Sequence, residues 1–297
     1  MLNERSINRK SAYLTPIIAF FAVSVLLASF TGCSSPSRNN PPAGSIFITT
    51  LDIGHADSHV IQTPTANILI DTGEASSGPQ IARWLRAHGV RELHLVILTH
   101  PHADHIGGFR HLSDHFTVGQ VLDSGFPHGS GVQKSTLEAI QKHKIPYRKA
   151  RAGQVLTIDN DLTIRILWPE EPFLRGTASD PNNNSIVMLV QHGGIRMLFP
   201  GDLEESGEAR LLAKGEDIRA DYLKVAHQGS EGASSQAFLG AVQPQHAVIV
   251  TAHSNRYGHP SPETVKRLED SGATVWRTDR DGNIGFISDG NTLRRNP

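Results

Sequence analysis

Three imidazoles and a carboxylate, those of His100, His102, Asp104 and His105, fall within six residues of the run 98–108. Side chains so close together would compete for the same few partners unless a cation shared them, and His with Asp is a donor set that divalent metals accept. The apolar run 95–98 ahead of them reads as a short strand buried on both faces. In extended chain beyond it His100 and His102 point the same way, because side chains alternate with period two, so both reach one ion. Asp104 and His105 open a helix expected to run through Phe109 and Leu112, facing a second ion beside the first. Gly107 and Gly108 leave room for close packing against the backbone. A helix start also aims amide groups at the site, which suits hydroxide or phosphate.

Two further donors follow apolar strands: Asp202, after residues 195–199, and His227, after residues 222–225. Ligands at strand ends are held by a rigid scaffold. Taken alone, Gly201-Asp202 is an ordinary turn, and Asp71 ahead of Thr72-Gly73 reads equally as a turn acid. His59, His88, His94, His111, His115, His128, His143, His192 and His246 read as surface or core residues with ordinary hydrogen bonds. Ser254, Asn255, Arg256, Tyr257 and His259 form a polar loop after a strand.

The elements around these residues follow from hydrophobic period. Strands at 46–52, 59–62 and 67–70 are expected to form an antiparallel meander. An amphipathic helix at 80–88 sets Ile81, Trp84 and Leu85 on one face and is closed by Gly89. Strand and helix signals alternate through 119–122, 135–143, 162–168, 185–191 and 195–199. The last third reads as helix 203–213, strand 222–225, helix 234–242, strand 247–251 and helix 261–271, with 274–277 and 283–287 as a terminal hairpin. Strand groups interleaved with helices in two successive halves imply an α/β fold of stacked sheets with helices outside, layered α, β, β, α.

With 297 residues, 38% of them hydrophobic, the chain holds one large domain or two small ones. Arg5, Arg9 and Lys10 precede an apolar stretch at 12–30 and then Thr31-Gly32-Cys33, the pattern of a bacterial secretion signal. Cys33, the single cysteine, stands where a lipoprotein is cleaved and lipidated, so residues 1–32 are expected to be a signal peptide. An uncleaved anchor is the alternative, since 13–30 is about long enough to span a bilayer. Both place the domain outside the cytoplasm, tethered to the membrane. Residues 33–44, polar and proline-bearing, are expected to be a flexible linker, with the folded domain at 45–297. One cysteine excludes an internal disulfide. Without residues 1–32 the chain carries 25 basic and 28 acidic side chains, net −3, which excludes a generally basic nucleic-acid-binding surface. Aromatic residues at 6% offer no evident base-stacking platform.

Seven blocks, at 51–58, 70–73, 98–108, 183–185, 200–202, 227–230 and 255–260, resemble in order those of the metallo-β-lactamase fold superfamily, and within it the extracytoplasmic hydrolase domain of ComEC-type competence proteins. The resemblance runs from about residue 46 to 287. It implies a four-layer αββα fold and two divalent ions, Zn²⁺ or Mn²⁺. His100 and His102 would bind one ion, Asp104 and His105 the second, with Asp202 bridging both and His227 completing the second. It implies that Asp71 lies behind the ligands and orients an imidazole. It also puts the loop after the strand at 247–251 at the metal face. There Ser254, Asn255, Arg256 and Tyr257, with Asn184 and Ser185, would contact substrate, and Asp104 and His259 would serve catalysis, His259 as proton donor to the leaving group.

Three departures from the family pattern matter. Many members carry a further His between the cluster and the bridging Asp. Here 182–185 reads Asn-Asn-Asn-Ser, a loss shared with the competence-type branch that leaves the first ion one ligand short. His55-Ala56 replaces a usual Gln-Gly, and Gln228 stands where a second His is frequent. The implied activity is phosphodiester hydrolysis at the bacterial envelope, on DNA or on a phosphorylcholine-type cell-wall group, with no protein partner expected. Two other classes stand beside it: a metal-stabilised binding lipoprotein without turnover, motivated by the incomplete first site, and, less favoured, a β-lactam hydrolase.

Overall fold

The computed structural model describes residues 41–159 and 161–296. The expected signal peptide, Cys33 and most of the expected linker lie outside the described residues. Among the described residues no helix is long and apolar enough to cross a membrane.

Alternation starts the first sheet. Ile46–Thr50 buries every second side chain and pairs antiparallel with His59–Gln62, which pairs in turn with Asn67–Ile70. From there the sheet continues parallel, through Leu95–Leu98, Val121–Asp123 and Tyr147–Lys149. Leu95–Leu98 is buried at all four positions, as its unbroken apolar run requires. The second sheet runs antiparallel through Val155–Asp159, Leu162–Trp168, Val187–His192 and Ile195–Phe199, then parallel through Tyr222–Lys224, His246–Ile249 and Thr274–Arg277.

Three apolar clusters separate four layers. Ile48, Ile61, Ile68, Ile97, Ile164, Met188, Met197 and Phe286 fill the space between the sheets. Leu69, Val96 and Leu98 on the far face of the first sheet meet Ile81, Leu85, Phe109 and Leu112 of the helices that cover it. Leu198, Leu223 and Ile249 of the second sheet meet Leu211, Phe238, Leu239 and Leu268 in the same way. Each such side chain contributes about 1.5–3 kcal/mol by leaving water. The expected α, β, β, α order is the observed one.

The end of the chain differs from the expected hairpin. Thr274–Arg277 closes the second sheet beside His246–Ile249, whereas Ile284–Ser288 crosses to the first sheet and pairs with Ile46–Thr50. A short helix, Thr278–Asp281, and Gly282 at φ 64 turn the chain between the layers. The hairpin is instead Ile284–Ser288 with Leu293–Asn296. The helix expected through Asp104 to Leu112 is two pieces, Ala103–Ile106 and Phe109–Ser113, broken at the paired glycines.

Candidate metal centre

Parallel strands deliver the site. Asn67–Ile70, Leu95–Leu98, Ile195–Phe199, Tyr222–Lys224 and His246–Ile249 are followed by Asp71, His100, Asp202, His227 and the loop 251–260. The carboxyl ends of parallel strands are where open α/β sheets leave room for ligands.

Backbone hydrogen bonds sew the first-sheet loops together. Asp57 N–H donates to Asp104 O at 3.0 Å, Gly73 N–H to Asp57 O at 2.9 Å, Thr72 N–H to His105 O at 2.6 Å and Gly108 N–H to Gly73 O at 3.0 Å. A Cβ on Gly108 would stand 2.1 Å from Thr72 O, so no larger residue fits at this crossing. Asp71, at φ 58, accepts from Thr99 N–H at 2.8 Å and Thr99 Oγ1 at 2.7 Å. Its Oδ2 also lies 2.8 Å from His105 Nδ1. With Nδ1 held there, His105 presents Nε2 to the site, the arrangement by which a carboxylate orients a ligand imidazole.

Asp202 gathers the donors. Its Oδ2 lies 3.1 Å from His105 Nε2, 3.8 Å from His100 Nε2 and 4.0 Å from His227 Nε2. His102 Nδ1 faces His100 Nε2 at 3.1 Å, and Asp104 Oδ2 stands 3.6 Å from His105 Nε2 while accepting from Gln228 Nε2 at 3.0 Å. Gly201, at φ 59, brings Asp202 against Thr99 and Ser185, where a Cβ would meet Ser185 Cβ at 2.8 Å. Ser185 Oγ in turn accepts from Asp202 N–H at 3.2 Å. His227 and Gln228 both adopt left-handed backbone, at φ 46 and 53, a conformation that non-glycine residues hold only where the surroundings enforce it.

Burial and neighbouring charge set the protonation states. Burial, reinforced by His105, holds His100 well below its ordinary value, and burial likewise lowers His102. Burial opposes charge on His105 too, but the carboxylates of Asp202, Asp104 and Asp71 outweigh it and raise its pKa well above the ordinary value. For Asp202 burial is overcome by His105 and Lys224, which keep its carboxyl well below the usual range.

Two groups of side chains stand close enough to share an ion: His100, His105 and Asp202, and Asp57, Asp71 and His105. The second already contains a cation. Lys224 Nζ ion-pairs with Asp57 and reaches Gly201 O at 3.0 Å and Asp202 Oδ1 at 3.4 Å, all of it buried. Of the first group Asp202 lines a cavity of about 490 Å³, together with His102, Asp104 and His227, while His100 and His105 are fully buried. Donor atoms around a four-coordinate zinc with bonds of about 2.0–2.1 Å stand about 3.3–3.5 Å apart. The separations of 3.1 to 4.0 Å around Asp202 bracket that spacing. The residues fit a divalent metal, and His100, His102, Asp104, His105, Asp202 and His227 are the ones that would hold it.

Other expected contacts are placed differently. Asn184 is buried, with its amide spent on Leu174 N–H at 2.9 Å, Leu174 O at 2.8 Å and Asp180 O at 2.7 Å, so it braces a loop and does not face the cavity. Ser185 supports Asp202 from beneath. Asn255 folds its own loop, donating to His259 O at 2.6 Å and accepting from Tyr257 and His259 N–H. Ser254 and Arg256 lie on the exposed side of that loop, Arg256 stacked over Tyr257. Tyr257 and His259 do line the cavity. Burial and the charge of His227 lower the pKa of His259 to about 4.

Residues not singled out from sequence complete the cavity. His128, read as ordinary, packs edge-on to His102 at 5.3 Å, and His55 stacks on Tyr257 at 5.0 Å. Of the buried Asp57–Lys224 pair, Asp57 falls in the first of the blocks and Lys224 in none of them.

A family model described as the metallo-β-lactamase superfamily matches residues 51–253. The chain belongs to that superfamily. Among curated superfamily relatives, the ComE operon protein 3 of Bacillus subtilis is 33% identical over 80% of this chain and 32% of its own length. The competence protein ComA of Neisseria gonorrhoeae is 29% identical over 82% and 33%. The chain thus spans about a third of these relatives. The metallo-β-lactamase fold protein YhfI of Bacillus subtilis superposes with a TM-score of 0.52 at 14% identity, covering 82% of this chain and 99% of that one. Fold and donor set together are those of a metal-dependent hydrolase.

Proposed function

We propose that the chain hydrolyses phosphodiester bonds, using two divalent ions held by His100 and His102, by Asp104, His105 and His227, and by Asp202 between them. The observation that carries this reading is the convergence of His100, His105 and His227 on the single oxygen Asp202 Oδ2 at the floor of one cavity. Divalent ions there supply a hydroxide nucleophile at neutral pH and stabilise charge on phosphoryl oxygens.

The protein's own groups do the rest. Asp71 keeps His105 in the tautomer that offers Nε2, and Lys224 holds Asp202 Oδ1 so that Oδ2 faces the imidazoles. At the rim, the Arg256 guanidinium over Tyr257 draws an anionic ester toward the cavity and disfavours a cationic headgroup. His55, His128 and His259 line the cavity and offer ring N–H groups for hydrogen bonds to non-bridging oxygens. Likeness to two competence proteins supports the same class of substrate, with the polymer left open between nucleic acid and cell-wall esters.

Purified protein supplied with Mn²⁺ or Zn²⁺ should cleave bis-p-nitrophenyl phosphate, with His227→Ala as the blank. Turnover equal in the two proteins would refute the reading, and two bound ions without turnover would favour a binding protein. We also propose an envelope location through Cys33, from the basic and then apolar residues that precede it. Cys33→Ala should release the protein from the membrane pellet, and unchanged sedimentation would count against the anchor.

A further inference from the structure

The cavity contains one oxygen that the protein leaves without a partner. Asn182 begins the one-turn helix Asn182–Asn184, is 3% exposed, and lines the cavity with His102, Asp104, Asp202 and His227. Its Oδ1 is buried and accepts no hydrogen bond. A buried acceptor left without a donor is destabilising, so a ligand that takes up the bond is expected.

The amide cannot simply turn round. Its Nδ2 donates to Glu204 Oε1 at 3.0 Å, and a flipped amide would set oxygen against that carboxylate. Glu204 is itself fixed: Oε2 accepts from Asn183 Nδ2 at 3.2 Å, and Oε1 stands 3.2 Å from His227 Nδ1. One carboxylate therefore orients a metal-facing imidazole and the free amide oxygen together. On the donor count, His100 and His102 with the shared Asp202 give the first ion three protein donors.

We propose that Asn182 Oδ1 is a ligand of the ion held by His100 and His102, with Glu204 as its positioning residue. The inference rests on the two-ion reading above. An amide oxygen is a harder donor than imidazole, so this first site would favour Mn²⁺ more than an all-imidazole site does.

The test uses the full chain with Mn²⁺ alone, reading stoichiometry by titration calorimetry and ion–ion coupling by electron paramagnetic resonance. Wild type should bind two ions with a coupled signal. Asn182→Leu and Asn182→Ala should lower the affinity for one ion by about ten-fold or more and leave an uncoupled Mn²⁺ spectrum. The alanine variant makes no demand on packing and carries the test if the leucine variant fails to fold. Two ions bound with wild-type affinity in Asn182→Ala would overturn the ligand assignment and leave the two-ion reading standing, including when only KM rises. Fewer than two ions in wild type would overturn both.

Discussion

Replacing Lys224 with Met should cost about 3–5 kcal/mol of stability in the metal-free protein, because it removes one half of a buried ion pair. Lys224 is 1% exposed and Asp57 0%, and no water-facing atom is available to screen the charge left behind. Burial raises the carboxyl of Asp57 to about 6 even with the ammonium and His105 beside it, so without Lys224 it takes up a proton at neutral pH. The variant also strips Gly201 O and Asp202 Oδ1 of their shared donor. For a domain of this size the loss corresponds to a fall in Tm of about 10 °C. The assay is urea unfolding of single variants and of the pair Asp57→Asn with Lys224→Met. Taking out both charges should cost about 2 kcal/mol or more below the sum of the single losses. A Lys224→Met loss under about 1 kcal/mol, or strict additivity, would refute the idea that this pair bears the charge of the inner acid cluster.

Asp71→Ala leaves Thr99 N–H, Thr99 Oγ1 and His105 Nδ1 without their common acceptor, and should weaken metal binding about 10–100-fold in competition with a chelator, with unchanged affinity as the contrary result. Gly108→Ala forces a Cβ to 2.1 Å from Thr72 O and should destabilise by about 1–3 kcal/mol, whereas Gly131→Ala, with open space around it, should be near neutral; equal melting temperatures would contradict this. In the metal-free protein, burial keeps His59, His100, His102, His55 and His259 below the ordinary histidine value of 6.5, so the unfolded chain takes up protons first as pH falls. His105 and His227, raised by their carboxylates against burial, contribute the opposite way, stabilising below 6.5 and losing that contribution as pH rises. The lowered group is the larger, so Tm should drop between pH 7 and pH 5, and a flat or rising Tm would contradict the assignment.

The part of the site legible in sequence was the part carried by one strand, one loop and one helix start. His100, His102, Asp104 and His105 are contiguous, and geometry within six residues follows from local period alone. Asp202 and His227 were visible because an apolar strand ends just before each. The Asp57–Lys224 pair was not, since two residues from different sheets meet only after the layers stack. The same reason explains the terminal strands: the pattern locates Thr274–Arg277 and Ile284–Ser288, but nothing local says that a short helix carries the chain across to Ile46–Thr50. Tyr147–Lys149 and Val155–Asp159 carry little apolar pattern because they are edge strands with no fully buried position, bearing Arg148, Lys149 and Asp159, as edges that avoid further pairing do. In the stretch 182–185 sequence pointed at Asn184 and Ser185, and the turn of helix instead spends those on the scaffold and leaves Asn182 facing the cavity.

The central claim is that His100, His102, Asp104, His105, Asp202 and His227 hold divalent metal. Elemental analysis of protein purified without chelators, then dialysed after loading with Zn²⁺ or Mn²⁺, measures this directly. Two equivalents per chain in wild type, falling to one or fewer in Asp202→Ala with the fold retained, is the predicted result. A wild-type protein that retains no metal, or an Asp202→Ala protein that retains two equivalents, would contradict it.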